Sequence, residues 1–379
     1  MSIADRVAAA GGELLRFEAS PPRNGVRYVA CVPVRDEAER VGACLDALDR
    51  EFGSSLHTVM LVNDCDDASM DVICGRMPGR GGMLTAAAIN WRDSRGTAPR
   101  ARSLAFEIAR EVAPEALLFS TDADTIVCPG LMAAYDAAFA QGFDLVCGRI
   151  GFLAGEVASL PAVDPRRDAA IRAYRDATRH ILALAFPDPG NPWPHHGNIG
   201  GANFAITAAA YRIAGPVPLV AFGEDRALRR SCEAHGLRIA YVDAARVETS
   251  CRLDSRTEGG LAAELARNRI ESDPLVDEAL EPPSKLVRRM RLRHLVTTCE
   301  DRAGVASALT SGGMTSDRAH QLADMPARPL AWFHAEAELA VLRRERMRFS
   351  QMARHLPALL RFEAKIAEAR SDKVPEFEG

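Results

Sequence analysis

FSTDADTIVCPG, residues 119–130, follows the apolar run Ala116-Leu117-Leu118. A short strand buried on both faces would lead straight into Asp122 and Asp124, with only Ala123 between them. In extended backbone, residues i and i+2 share a face, so if strand geometry persists both carboxylates project the same way. Two like charges held that close call for a cation.

Elements alternate outward from this strand. After the turn-like Pro21-Pro22-Arg23-Asn24-Gly25, the apolar run 28–34 reads as a first strand, and the spacing of Val41, Leu45 and Leu48 predicts a helix over 36–50. Residues 57–62 form a second strand ending in Asn63-Asp64-Cys65-Asp66-Asp67. A helix near 68–77, a strand near 83–90 and a helix over 100–112 lead to the strand 117–120. Further on come a helix near 130–141, a strand at 145–148 and a long helix over 168–185, then a loop, Pro187 to Asn198, too rich in proline to be regular. Beyond 260 the sequence is charged and helical, with Lys285 to Arg293 and later Leu339 to Met347. The alternation predicts an α/β fold, a mostly parallel central sheet flanked by helices, with a C-terminal helical extension. Three divisions follow: an N-terminal extension (1–25), a main domain (26–260) and the extension (261–379).

With 47 basic and 51 acidic residues among 379, the formal charge of -4 argues against a polyanion-binding surface, and so against nucleic acid as a partner. The nine cysteines stand singly, several within apolar runs, with no CxxC pair, which reads as small buried thiols in a reducing compartment. Asp5, Arg6 and Glu13 interrupt the N-terminus, which lacks the apolar core of a signal peptide, and no window reaches the roughly 18 apolar residues of a spanning helix. A cytoplasmic setting is expected.

In open parallel sheets, ligands sit beyond the carboxyl ends of the strands. Here three strand ends carry polar or acidic clusters: Arg35-Asp36-Glu37, Asn63-Asp64 and Asp122-Ala123-Asp124. Any one alone reads as a solvated turn. Three on one sheet edge point to a site.

Over about residues 26–260 the chain resembles family 2 glycosyltransferases of the GT-A fold. The resemblance rests on an ordered set: VACVPVRDEAERVGACLDAL, VMLVNDCDDAS, ARSLAFEIA, STDADT, GGANFAI, FGEDRAL and VETSCRLDSR. It implies a nucleotide-binding half (26–125) and an acceptor half (126–260). It also implies Asp124 as direct ligand of Mn2+ or Mg2+, with Asp122 turned toward the donor ribose or the metal's waters, and Asp64 on the nucleotide base. Pro33, Arg35, Asp36 and Glu37 would line the same pocket. The family often has asparagine where this chain has Asp36. Asp225 takes the position of the general base, with Glu224 as understudy, and Gly200, Gly201, Ala202 and Asn203 border the sugar and acceptor. Arg252 and Arg256 resemble a segment that closes over the donor phosphates.

The residue types suit these roles. Carboxylate oxygens hold hard divalent ions that still accept phosphate oxygens, and the attacking hydroxyl must lose its proton to an acceptor. Each feature also has a plainer reading. Asp122 and Asp124 could cap a turn before Pro129, and Glu224-Asp225 could cap a helix start. Arg102 faces the diphosphate or lies exposed, and Arg252 serves phosphate or a solvated turn. His195-His196 is a surface pair, a contact to the acceptor pocket through His196, or a metal ligand pair.

The function expected is metal-dependent, inverting transfer of a sugar from a nucleotide-diphosphate donor, of uridine type, to a hydroxyl acceptor. The alternatives are a non-catalytic sugar-nucleotide-binding or scaffold protein and, behind it, a sugar-nucleotide nucleotidyltransferase. The last needs a glycine-rich phosphate loop where this chain has Pro33 to Glu39. The basic helix Lys285 to Arg293 either packs its apolar positions inward or lies on an anionic membrane surface as a peripheral contact.

Overall fold

The computed structural model describes residues 2–93, 96–158, 160, 162–221, 223–252 and 270–371. The chain folds as two compact units, one of residues 1–160, 196–233 and 237–261, the other of residues 161–195, 234–236 and 262–379.

The first unit is built on a nine-stranded sheet. Its strands are β1 (Gly12–Ala19), β2 (Tyr28–Val34), β3 (Leu56–Asn63), β4 (Met83–Trp91), β5 (Leu117–Ser120), β6 (Thr125–Val127), β7 (Leu145–Phe152), β8 (Phe204–Ile206) and β9 (Ile239–Thr249), in the order β1-β4-β3-β2-β5-β8-β7-β9-β6. The block β4-β3-β2-β5 is parallel throughout. Antiparallel pairs flank it: β1 on β4, β8 between β5 and β7, and β6 on β9. Strand β2 shows why the block is parallel and covered on both faces. Tyr28, Ala30 and Val32 join one apolar cluster with Leu45, Leu48 and Tyr135, while Val29 and Cys31 join another with Ala101, Ala105 and Ile108. Helices α1 (Ile3–Ala9), α2 (Val41–Phe52), α3 (Ser69–Gly75), α4 (Ala98–Val112), α5 (Leu131–Ala140) and α6 (Ala154–Val157) belong to this unit. Helix α4 begins on a Thr97 cap with Pro99 in its first turn.

Two local departures from the sequence expectation matter. The first helix starts at Val41 rather than near 36, because Asp36 takes a positive φ of 51° and the Glu37 carbonyl accepts from both Arg40 and Val41, making a turn first. Strand geometry also stops before the two acids. Residues 121–124 form a break closed by Thr125 N–H donating to the Asp122 carbonyl, after which the chain re-enters the sheet as β6. Residues 1–25, an extension in the sequence reading, supply α1 and the edge strand β1, whose mostly exposed residues carry no clear period.

The second unit is helical. Helix α7 (Pro165–Ala185) buries Tyr174, Ala177 and Ile181 against Val276, Leu280, Met347, Met352 and Leu359. Two further helices, α8 (Ala208–Ala214) and α9 (Glu224–Ala234), follow in sequence and belong chiefly to the first unit. The C-terminal helices are α10 (Pro283–Thr298), α11 (Arg302–Ser311), α12 (Ser316–Asp324), α13 (Arg328–Glu338) and α14 (Phe349–Ser371). The charged stretch 339–347 is not a helix beyond one 3-10 turn, Ala340–Leu342. In α10 Leu286 and Val296 are buried, whereas Arg288, Arg291 and His294 are exposed. Arg289 is buried as well, donating to both oxygens of Glu281 at 2.8 Å and to Glu336 at 2.6 Å. Among the described residues no helix is long and apolar enough to cross a membrane.

Candidate functional site

Arg102 lies on α4, a helix start that brings it under the end of β5. It is 3% exposed, and its guanidinium meets four groups. Nε donates to Glu224 Oε1 at 2.9 Å, one terminal nitrogen to Asp122 Oδ1 at 2.7 Å, and the other to Ser120 Oγ at 2.7 Å and the Gly201 carbonyl at 2.9 Å. Burial by itself would lower the guanidinium pKa, but Asp122 and Glu224 raise it on balance. Arg102 thus ties three distant pieces of sequence together: the Asp-Ala-Asp break, the glycine pair and the first turn of α9. The neighbouring Asp225 is partly exposed, and its Oδ1 accepts from the Arg226 N–H at 2.6 Å. Burial, then the Glu224 charge, push its carboxyl above the usual range.

Asp124 faces other partners. Thr249 Oγ1, at the end of β9, donates to its Oδ1 at 3.1 Å, and Arg252 lies 3.4 Å from its Oδ2. Arg252 also grips both oxygens of the buried Glu37, one at 2.9 Å. Burial pushes the Asp124 carboxyl up to about 7, reinforced by the charges of Asp122 and Glu37 and only partly offset by Arg252 and Thr249. Among the described residues the set is rich in oxygen donors, which fits a hard divalent cation.

The acids at the ends of β2 and β3 are engaged differently. Asp64, at φ 45°, accepts from Trp91 N–H at 3.0 Å and Gly96 N–H at 2.5 Å, one bond on each oxygen. Asp36 Oδ1 accepts from Asp66 N–H at 2.8 Å, and Arg35 donates to the Gly96 carbonyl at 2.9 Å. Pro33 sits within β2 opposite Leu61. Asp36, Cys65 and Asp67 come close enough for their ligand atoms to share an ion, with Asp67 also accepting from Ala38 and Ser69.

The segment 196–203 serves the frame. A Cβ on Gly201 would stand 2.5 Å from Arg102 Nη2, and one on Gly200 would stand 2.4 Å from Ile150 Cδ1, so both glycines admit protein groups rather than open space. Ala202 is 5% exposed. Asn203 is fully buried, accepting from Tyr135 at 2.5 Å and donating to the carbonyls of Arg149 and Ala245 beside the β7 bulge. His196 Nε2 lies 3.1 Å from the Cys147 carbonyl, and its Nδ1 lies 3.3 Å from Asn198 N.

The sequence reading did not single out Ser120, Thr249 or Glu156. The last accepts from Ser250 Oγ at 2.6 Å and Cys251 N–H at 2.9 Å, and so braces the segment that carries Arg252. A hydroxyl or acid near a strand end carries no spacing signal, so only the fold reveals these three. Phe222 and Arg256 lie outside the described residues.

No family model matches the chain, and no curated protein matches it. Among solved structures it is similar to a mannosyltransferase from Pyrobaculum calidifontis in complex with GDP-Man and Mn2+, at 13% identity and a TM-score of 0.43, over 94% of this chain and 82% of that one. It is also similar to residues 1–349 of TarS from S. aureus in complex with UDP-GlcNAc, at 10% identity and a TM-score of 0.43, over 82% and 91%. A third is glucosyl-3-phosphoglycerate synthase from Mycobacterium tuberculosis in complex with Mg2+ and uridine diphosphate, at 14% identity and a TM-score of 0.39, over 71% and 82%.

Proposed function

We propose that the first unit is a metal-dependent, inverting glycosyltransferase of family 2 type, moving a sugar from a nucleotide-diphosphate donor, of uridine type, to a hydroxyl acceptor. The observation that carries this reading is the gathering of acids from three distant segments, Glu37, Asp122 with Asp124, and Glu224 with Asp225, among which Arg102 and Arg252 form the ion pairs seen among the described residues. A negative excess at the carboxyl ends of parallel strands suits a ligand that brings its own cation.

Asp124, with Asp122 beside it, would hold Mn2+ or Mg2+, which supplies charge neutralisation for the departing diphosphate. Arg252 stands ready to contact phosphate oxygens, since its planar fork already grips a carboxylate of similar geometry. Asp225 accepts the acceptor's proton as its oxygen bonds to the anomeric carbon and the diphosphate leaves with the electron pair of the broken bond. Attack opposite the leaving group is a single displacement, hence inversion. The setting is read as cytoplasmic; in α10 the buried apolar positions favour packing over a membrane contact.

Arg102 occupying the space between Asp122 and Glu224 favours a second reading, a sugar-nucleotide-binding protein without turnover. A donor screen for nucleotide diphosphate release with and without Mn2+, on the parent and on Asp124→Ala and Asp225→Asn, separates the two. The transferase reading expects release that both variants lose, the first with weakened Mn2+-dependent donor binding and the second with donor affinity intact. Thermal stabilisation by uridine diphosphate and Mn2+ with no release across a broad acceptor panel would sink it in favour of the second.

A further inference from the structure

We infer that Arg102 is a positioning residue that clamps Asp122 to the first turn of α9, engaging Glu224 in a buried ion pair so that Asp225 alone is left to take the acceptor's proton. This rests on the transferase reading above. It settles which of two adjacent acids acts, a choice that sequence leaves open.

The division of labour follows from unequal surroundings. Glu224 is 7% exposed and turned onto Arg102 Nε at 2.9 Å. Glu224 Oε1 is thus already engaged by the buried guanidinium, and turning it toward an acceptor would strand that cation. Asp225 is more exposed, and its Oδ1 is held only by the adjacent Arg226 N–H; among the described residues its Oδ2 has no hydrogen-bond partner. The Glu224 charge beside it raises its proton affinity, in the direction a base requires. In the transfer step the acceptor O–H proton passes to an Asp225 oxygen, the acceptor oxygen bonds to the anomeric carbon, and the diphosphate departs with the electrons of the broken C–O bond.

The clamp is rigid by construction. Besides the two acids, Arg102 holds Ser120 Oγ and the Gly201 carbonyl, and Ser120 Oγ donates to that same carbonyl at 2.6 Å. Five donors in a fixed fork meet four oxygens, a geometry that a lysine ammonium cannot reproduce. Gly201 is part of the device, because a methyl group there would displace the guanidinium.

The test uses the full chain, with UDP-glucose, UDP-GlcNAc and GDP-Man each offered with Mn2+ and a hydroxyl-acceptor panel. Asp225→Asn should lower kcat by about 10² to 10⁴ at unchanged donor KM. Glu224→Gln keeps an amide oxygen for Arg102 Nε and should lower kcat by only about tenfold. Arg102→Met and Gly201→Ala should both lose kcat and Mn2+-dependent donor binding together, with Arg102→Lys failing to restore them. Because those variants disturb a buried cluster, a thermal cycle of Asp122→Asn, Glu224→Gln and the double variant provides a second measure. Its melting shifts should depart from additivity by about 2 °C or more, since both acids share one guanidinium. Additive shifts overturn the clamp. Activity lost in Glu224→Gln and kept in Asp225→Asn overturns this inference alone, whereas a parent that releases no diphosphate from any donor overturns the transferase reading and this inference with it.

Discussion

Two acidic ends of the same sheet look alike in sequence and behave differently in the structure. Beyond β2 and β3, Asp36 and Asp64 accept from backbone N–H groups of Asp66, Trp91 and Gly96. Beyond β5 and at the start of α9, Asp122, Asp124 and Glu224 meet guanidinium groups and one another's charge. The first set shapes turns, and both of its acids sit at positive φ. Among the described residues the second set gathers more carboxylates than guanidinium groups in partly buried surroundings, where charge costs most. What distinguishes the two sets is therefore the partner: a neutral backbone dipole for Asp36 and Asp64, a charged group for Asp122, Asp124 and Glu224.

The contrast can be broken experimentally. The largest effect belongs to Asp124→Ala, expected to lower Mn2+-dependent diphosphate release by about 10³ or more, as the metal-holding role proposed for Asp124 requires; retention of parent rates would place the cation elsewhere. Next comes pH. Asp124 is raised to about 7 in the cation-free protein, above its ordinary value, so below that pH a bound divalent ion must displace a proton. Mn2+ affinity followed by electron paramagnetic resonance should therefore rise about tenfold per pH unit up to near 7 and level off above it. A flat profile would show that Asp124 is not the titrating ligand. The same sign applies to stability: between the ordinary carboxylate range and about 7 the folded state holds a proton that the unfolded state has lost, so cation-free stability falls as pH rises through that window.

The structural set should respond in stability instead. Asp64→Ala strands the Trp91 and Gly96 N–H groups and should cost about 1–3 kcal/mol in chemical denaturation. Loss of uridine selectivity with no loss of stability would instead move Asp64 to the donor side. The smallest effect is expected from Asp36→Asn, within about 0.5 kcal/mol, because asparagine tolerates positive φ and keeps an acceptor for the Asp66 N–H.

Much of the frame was legible in residue order. The both-faces-apolar strand 28–34 and its neighbours at 57–62 and 83–90 announce a parallel block, and their observed bounds shift by only a residue or two. Helix α2 was placed five residues early because its apolar spacing says nothing about the Asp36–Arg40 turn, which hydrogen bonds and a positive φ impose. The short strand β6 goes unannounced because three residues carry no readable period. For the site, residue types pointed to the acids but not to their division: Arg102 turns inward onto Asp122 and Glu224, which no spacing announces. Gly201 gives room to that arginine, which its residue type alone does not announce.

Sequence by itself determined the alternation of strand and helix and the positions of the acids, because burial periodicity and turn chemistry are local properties of the chain. Only the tertiary structure decided which acids meet. Asp122 and Glu224 are separated by about a hundred residues and share one buried guanidinium. That meeting is set by how the strands order in the sheet, and a charge's strength is set by the solvent it has lost, neither of which is written in any single stretch of residues.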